Sequence, residues 1–262
     1  ALQQLTIDRM ATQLEASLAT AGITEVELTV DGVPIAATPV QTRSTAVTGG
    51  PLVLTDEGFG FLPGSELTPI GGLSGAVVRS NLVAVQVGPN QESAAVRSAD
   101  GSVARADVSD DVVVLDTRSG LRDPVIDARG YVWSIPARSP AALTAFGPDI
   151  ESPLLSQPWA AAGATDVQAM SISRDGARMA GVVRIGDRTE LWLSGVIRDE
   201  SDNRGVPARL GEPIVAGTIA GEAVSMVWTD DVTVAVVTRS GTETEIVEQV
   251  VGGTSSTIAG PA

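Results

Sequence analysis

Carboxylates, hydroxyls and one tyrosine, Tyr131, are the only side chains in this 262-residue chain equipped to move protons or attack a substrate. Histidine and cysteine are absent, and all 17 basic residues are arginine. That excludes a Ser-His-Asp arrangement, a zinc site of ordinary type, a Schiff base, a Ser-Lys dyad and a thiolate nucleophile. Two carboxylates at a suitable separation would still suffice for a glycosidase. Such sites usually sit among aromatics that stack on sugars, and aromatic residues are only 3% of this chain. The acidic clusters have plainer readings. Asp199-Glu200-Ser201-Asp202-Asn203-Arg204-Gly205 offers the alternate oxygens of a calcium loop. Arg204 stands where such a loop needs glycine, and Leu210 where it needs a bidentate acid, so the segment reads as a solvated hairpin loop. Asp110-Asp111, Asp230-Asp231 and Asp175-Gly176 read as turn chemistry. No catalytic residue, metal ligand or cofactor is expected.

Trp133, Trp192 and Trp228 fall in predicted strands and are expected in the core; Trp159, in a loop after Pro158, is undetermined. Arg118, Arg122, Arg129 and Arg138 form one basic group, and Arg174, Arg178, Arg184 and Arg188 another. Shared on one face they would make an interaction surface. The plainer expectation is that they pair with the surplus acids. The formal charge is −15, which argues against nucleic acid and against adsorption to an anionic membrane, while leaving a basic or calcium-bridged partner open. With 43% hydrophobic and 19% charged residues, the composition is that of a folded domain. No apolar run reaches the roughly 20 residues of a membrane span.

The elements that must carry these residues are mostly strands. Ile7, Met10, Leu14 and Leu18, with Ala11 and Ala21, recur at helical spacing, and Gly22 is a C-terminal stop. Val26, Leu28 and Val30 then alternate with polar residues before an Asp31-Gly32 turn into Val33-Pro34-Ile35. The helix and hairpin are too short for a domain and read as the remnant of an α/β domain, any leader or anchor lying upstream. From about Thr38 no helical period returns. Four units of strand, short polar turn and strand follow. They are Ser74–Val78 with Leu82–Val85, Pro124–Ile126 with Tyr131–Trp133, Met170–Ile172 with Met179–Val183, and Ser225–Trp228 with Val232–Val236. Turns at Asn81, Gly130, Gly176 and Asp231 are 49, 46 and 55 residues apart. Third strands follow at Glu190–Val196 and Glu243–Val250, and Leu52–Leu54, Gly58–Phe61 and Leu67–Ile70 suggest a degenerate further unit. This predicts a mainly β fold, a β-propeller of about five or six four-stranded blades over 38–262, with 1–37 as the remnant. A β-sandwich or two stacked β domains is the alternative.

Several stretches resemble a known family. Glu27–Pro34, Asp123–Asp127 with Tyr131–Trp133, Ser171–Arg178 and Leu191–Asp199 are similar to LpqB-type lipoproteins of actinobacteria. In these a lipid anchor is followed by a GerMN domain and a C-terminal propeller. The resemblance implies that 1–37 ends a GerMN-like domain and that the protein is extracytoplasmic and lipid-anchored. It further implies an accessory role, without a catalytic motif, to the extracytoplasmic domain of a two-component sensor histidine kinase, linked to cell-wall homeostasis. The alternatives are a carboxylate-dependent hydrolase on a propeller and a purely structural spacer. Convergent acids with stacking aromatics in a central funnel would mark the hydrolase; a shallow channel lined by small apolar residues would mark the binder.

Overall fold

The computed structural model describes residues 4–19, 21–23, 25–40, 50–55, 58–79, 81–109, 111–147, 151–153, 158–199 and 206–259. The chain divides into two compact units, Ala1–Ser44 and Thr45–Ala262. In the first, α1 (Gln4–Ala19) ends before Gly22, whose φ of 80° suits the left-handed stop. Strands β1 (Thr29–Val30) and β2 (Val33–Pro34) form the hairpin. Its turn residues Asp31 and Gly32 both have positive φ, the geometry that Asp-Gly favours. Side chains of α1 hold the segment after the hairpin: Asp8 accepts from the Thr38 N–H at 2.9 Å, and Thr12 Oγ1 from the Val40 N–H at 2.9 Å. Of the expected apolar face only Ala11 is buried; Met10 and Leu14 are exposed within this unit.

The second unit is a five-bladed β-propeller arrangement of antiparallel sheets. The first blade has three strands, β3 (Leu52–Thr55), β4 (Gly58–Phe61) and β5 (Thr68–Pro69). The second contains β6 (Leu82–Val87), β7 (Ser93–Ser98), β8 (Val103–Asp107) and β9 (Val112–Asp116). The third contains β10 (Val125–Ile126), β11 (Val132–Ser134), β12 (Thr144–Phe146) and β13 (Glu151–Pro153). The fourth has five strands, β14 (Asp166–Ile172), β15 (Arg178–Ile185), β16 (Arg188–Asp199), β17 (Val206–Leu210) and β18 (Ile214–Thr218). The extra strand follows from the length of β16, whose first half pairs with β18 and whose second half pairs with β17. The fifth contains β19 (Glu222–Trp228), β20 (Thr233–Ser240), β21 (Glu243–Val250) and β22 (Ser255–Ala259).

One expected strand is a helix. Ser74–Val78 lies in α2 (Leu73–Arg79), so the Asn81 break is not a blade turn. The reason is visible in the spacing: Leu73, Ala76 and Val77 recur at three and four and are all buried beside Phe59 and Ile70. Ser74 Oγ also accepts from the Ile70 N–H at 2.8 Å, fixing the helix start. The inner hairpin of the second blade closes instead between Gly88 and Ser93.

A shared device closes the inner hairpins of blades two to five: an Asx side chain accepting from backbone N–H groups two or more residues on. Asn90 accepts from Glu92 at 3.3 Å, Asp127 from Arg129 at 2.8 Å, Asp175 from Ala177 at 3.0 Å and Asp230 from Val232 at 2.8 Å. Apolar side chains fill the seams between blades. Phe59, Ile70 and Leu73 join the first two; Ala95, Val103, Leu121 and Ile126 the second and third. Trp133, Trp159, Met170 and Trp192 join the third and fourth; Leu191, Met226 and Trp228 the fourth and fifth. Gly181 is required here because a Cβ would collide with the Trp159 ring, carried by the short helix α3 (Pro158–Ala161).

Candidate binding channel

The inner strands β6, β10, β14 and β19 surround a channel. Its wide end has a volume of about 540 Å³ and is walled by Ala84–Gln86, Pro124-Val125, Gln168–Ser171 and Glu222–Val227. Arg97, Leu121, Arg122, Asp123 and Arg239 complete the wall. A smaller apolar pocket of about 230 Å³, under the hairpin turns, shares Val85, Gln86, Ser171 and Val227 with it. Phe61, Ile126, Ile172 and Trp228 line that second pocket, with Arg174 as its one charged side chain.

The polar groups at the wide end hold one blade to the next. Gln86 Oε1 accepts the Ile126 N–H at 2.9 Å, and Gln168 Oε1 accepts the Ala223 N–H at 2.8 Å. Arg97 donates through Nε to Asp123 Oδ1 at 2.8 Å, with Nη2 at 2.6 Å from the same oxygen. Arg122 Nε donates to the Val167 carbonyl at 2.6 Å, and its Nη2 lies 3.4 Å from Asp166. The lining is therefore neither of the two expected kinds. Among the described residues no aromatic ring faces the wide end, Asp123 is gripped by Arg97, and side-chain amides and guanidiniums stand among small apolar residues such as Ala84, Ala169 and Ala223.

Elsewhere, the acids act as structural acceptors. Asp127 has a side chain 0% exposed and takes four donors: the N–H groups of Arg129 and Tyr131, the Trp133 indole at 3.1 Å and Arg198 Nη2 at 2.7 Å. Asp116 is buried at the end of β9. Burial works against its charge. The Arg118 guanidinium and N–H and the Ser134 hydroxyl outweigh that and hold its pKa below the ordinary carboxylate value. Asp230 is held low by the Val232 N–H and then by Thr233, which fits turn chemistry. Asp111 accepts from Ser109 Oγ in its own turn; Asp110 lies outside the described residues, as do residues 200–205 of the acidic loop. Among the described residues no group of three acids is placed to hold a metal ion.

All four tryptophans are buried, and each indole N–H has an acceptor: Asp127 for Trp133, Ser194 for Trp159, Glu190 for Trp192 and the Ser171 carbonyl for Trp228. They are core residues, Trp159 included. The two arginine groups are dispersed. Arg118 pairs with Asp116 and Arg188 with Glu190, while Arg178 stacks 4.9 Å over Trp228. Of these eight arginines only Arg122 reaches the wide end of the channel and only Arg174 the apolar pocket, and Arg138 and Arg184 are exposed. Gln86, Gln168, Arg97 and Arg239 were not anticipated. The legible signal was a lone glutamine inside each of two apolar strands.

The sequence pattern of the lipoprotein LpqB β-propeller domain matches residues 57–262, across the blades that wall the channel. The chain belongs to that family. Membership places it among envelope-associated lipoproteins, and among the described residues no helix is long and apolar enough to cross a membrane. No curated protein sequence matches. Among solved structures, hydrazine synthase from Kuenenia stuttgartiensis is similar at 11% identity and a TM-score of 0.47, over 76% of this chain and 53% of that one. A functionally unknown protein from Desulfotomaculum acetoxidans is similar at 14% identity and 0.43, over 66% and 54%. TolB from Acinetobacter baumannii is similar at 13% identity and 0.36, over 75% and 57%. The chain thus spans little more than half of these proteins' lengths.

Proposed function

We propose that this LpqB-type propeller is a binding module rather than a catalyst. It belongs to a lipid-anchored envelope protein and is accessory to the extracytoplasmic domain of a two-component sensor histidine kinase, in the service of cell-wall homeostasis. Residues 1–37 are the end of a GerMN-like domain in this reading. The family match over 57–262 carries the proposal. It is supported by the use to which the reactive side chains are put. Asp116 and Asp127 are buried acceptors, Asp123 is paired with Arg97, and the tryptophans are core. A hydrolase would need convergent acids beside a stacking ring; among the described residues Asp123 at the wide end is paired with Arg97, and no such ring is there.

The test is a surface-binding titration of the purified chain, and of the full ectodomain, against the purified extracytoplasmic domain of the neighbouring sensor kinase. Saturable binding by this chain supports the propeller as the docking element. Binding by the full ectodomain alone transfers the role to the missing part, and no binding by either overturns the accessory reading.

A further inference from the structure

The wide end of the channel is rich in hydrogen-bond donors, for a reason fixed by the fold. A backbone N–H can only donate, so the Ile126 and Ala223 N–H groups oblige Gln86 and Gln168 to turn their amide oxygens toward them. Flipping either amide would set donor against donor. Each Nε2 is left as the group available to the channel, and among the described residues no protein acceptor takes either one. Gln168 is only 5% exposed, so its orientation is built in rather than adopted on a mobile surface.

Charge points the same way. The wide end presents three guanidiniums, Arg97, Arg122 and Arg239, against two carboxylates, Asp123 and Glu222. The whole chain has 17 basic and 32 acidic residues, so this patch inverts the balance of the protein. Asp123 is already held by Arg97, and Asp166 stands 3.4 Å behind Arg122. Arg239 faces Glu222 across the β19–β20 ladder, with no ion pair between them. A volume of about 540 Å³ lies within the range of small-molecule sites.

We propose that the wide end of the channel binds a small organic oxyanion, a polycarboxylate or a phosphorylated compound. Its acceptor oxygens would take the amide N–H groups of Gln86 and Gln168 and the free guanidinium edge of Arg239. This site is independent of the kinase-docking reading, and either can fail without the other.

Isothermal titration of the purified chain with citrate, with inorganic pyrophosphate and with neutral xylitol tests the proposal and separates the carboxylate from the phosphate source. Saturable binding of at least one anion is expected, with none for xylitol. The decisive variant is Gln168→Glu, which keeps an acceptor for the Ala223 N–H while replacing the donating NH₂ by a charged oxygen. It should weaken anion binding at least tenfold. Arg239→Ala, at an exposed position, should weaken binding several-fold whether or not the glutamate variant folds. The proposal is overturned if neither anion binds, if xylitol binds as well, or if Arg239→Ala binds like the parent and Gln168→Glu, where it folds, does too.

Discussion

Replacing Asp127 by asparagine tests how far the propeller depends on one carboxylate. Asp127 Oδ2 accepts from both the Trp133 indole and Arg198 Nη2, and the side chains of Asp127 and Arg198 are 0% and 9% exposed. Asparagine keeps the shape and loses the charge. If its amide nitrogen takes the Oδ2 place it confronts two donors; if it takes the Oδ1 place it confronts the Arg129 and Tyr131 N–H groups. Either way the buried Arg198 guanidinium loses the Asp127 charge. Removing one partner of a buried pair costs about 3–5 kcal/mol. That is a large part of the roughly 5–15 kcal/mol that a folded protein has in hand. With about 2–4 °C per kcal/mol at this size, the melting temperature should fall by about 10 °C. Urea unfolding of Asp127→Asn, Arg198→Met and the double variant measures this as a cycle. The double variant should be less destabilised than the sum of the singles, because the methionine removes the guanidinium that the Asp127 carboxylate held. A loss under 1 kcal/mol in Asp127→Asn, or additive singles, would refute the account of Asp127 as a hub joining the third and fourth blades.

Asp116 has a lowered pKa in the folded state, so its contribution is complete above the unfolded carboxylate value of about 4 and is lost as pH falls through the folded value. Urea midpoints should drop on acidification below about pH 4, and Asp116→Asn should flatten that part of the curve. Gly181→Ala should destabilise by about 1–3 kcal/mol by driving a methyl into the buried Trp159 ring, read as a lower melting temperature. Arg178→Ala removes the contact over Trp228 and the hydrogen bond to the Asp231 carbonyl, and should cost about 1 kcal/mol in urea unfolding.

The blades from Pro124 onward were legible because pairs of short apolar strands are separated by polar turns in which Asp is followed within three residues by Gly or Asp. Local chemistry and tertiary pairing agree there. The degenerate first blade at Leu52–Ile70 was legible for the same reason. The second blade misled at Ser74–Val78, since five small and branched residues fit either a strand or a turn and a half of helix. Burial beside Phe59 decided for the helix. The extra strand of the fourth blade left no local mark, because it depends on β16 being long enough to serve two partners. The channel lining was the least readable part. Residues as far apart in sequence as Arg97 and Arg239 meet there, and what Gln86 and Gln168 do is set by backbone groups of the following blade.

The placement of the four tryptophans has a spectroscopic consequence. All lie in the third, fourth and fifth blades, and the seams on either side of the second blade contain none. Indole emission therefore reports on the seams around the second blade only indirectly, through Trp228 at the pocket it shares with Phe61 and Val85. Should the alanine- and valine-filled seams part before the tryptophan-filled ones, far-ultraviolet circular dichroism would register a loss that fluorescence follows only indirectly. Two probes with displaced midpoints would then time the order in which the blades come apart, with no label added.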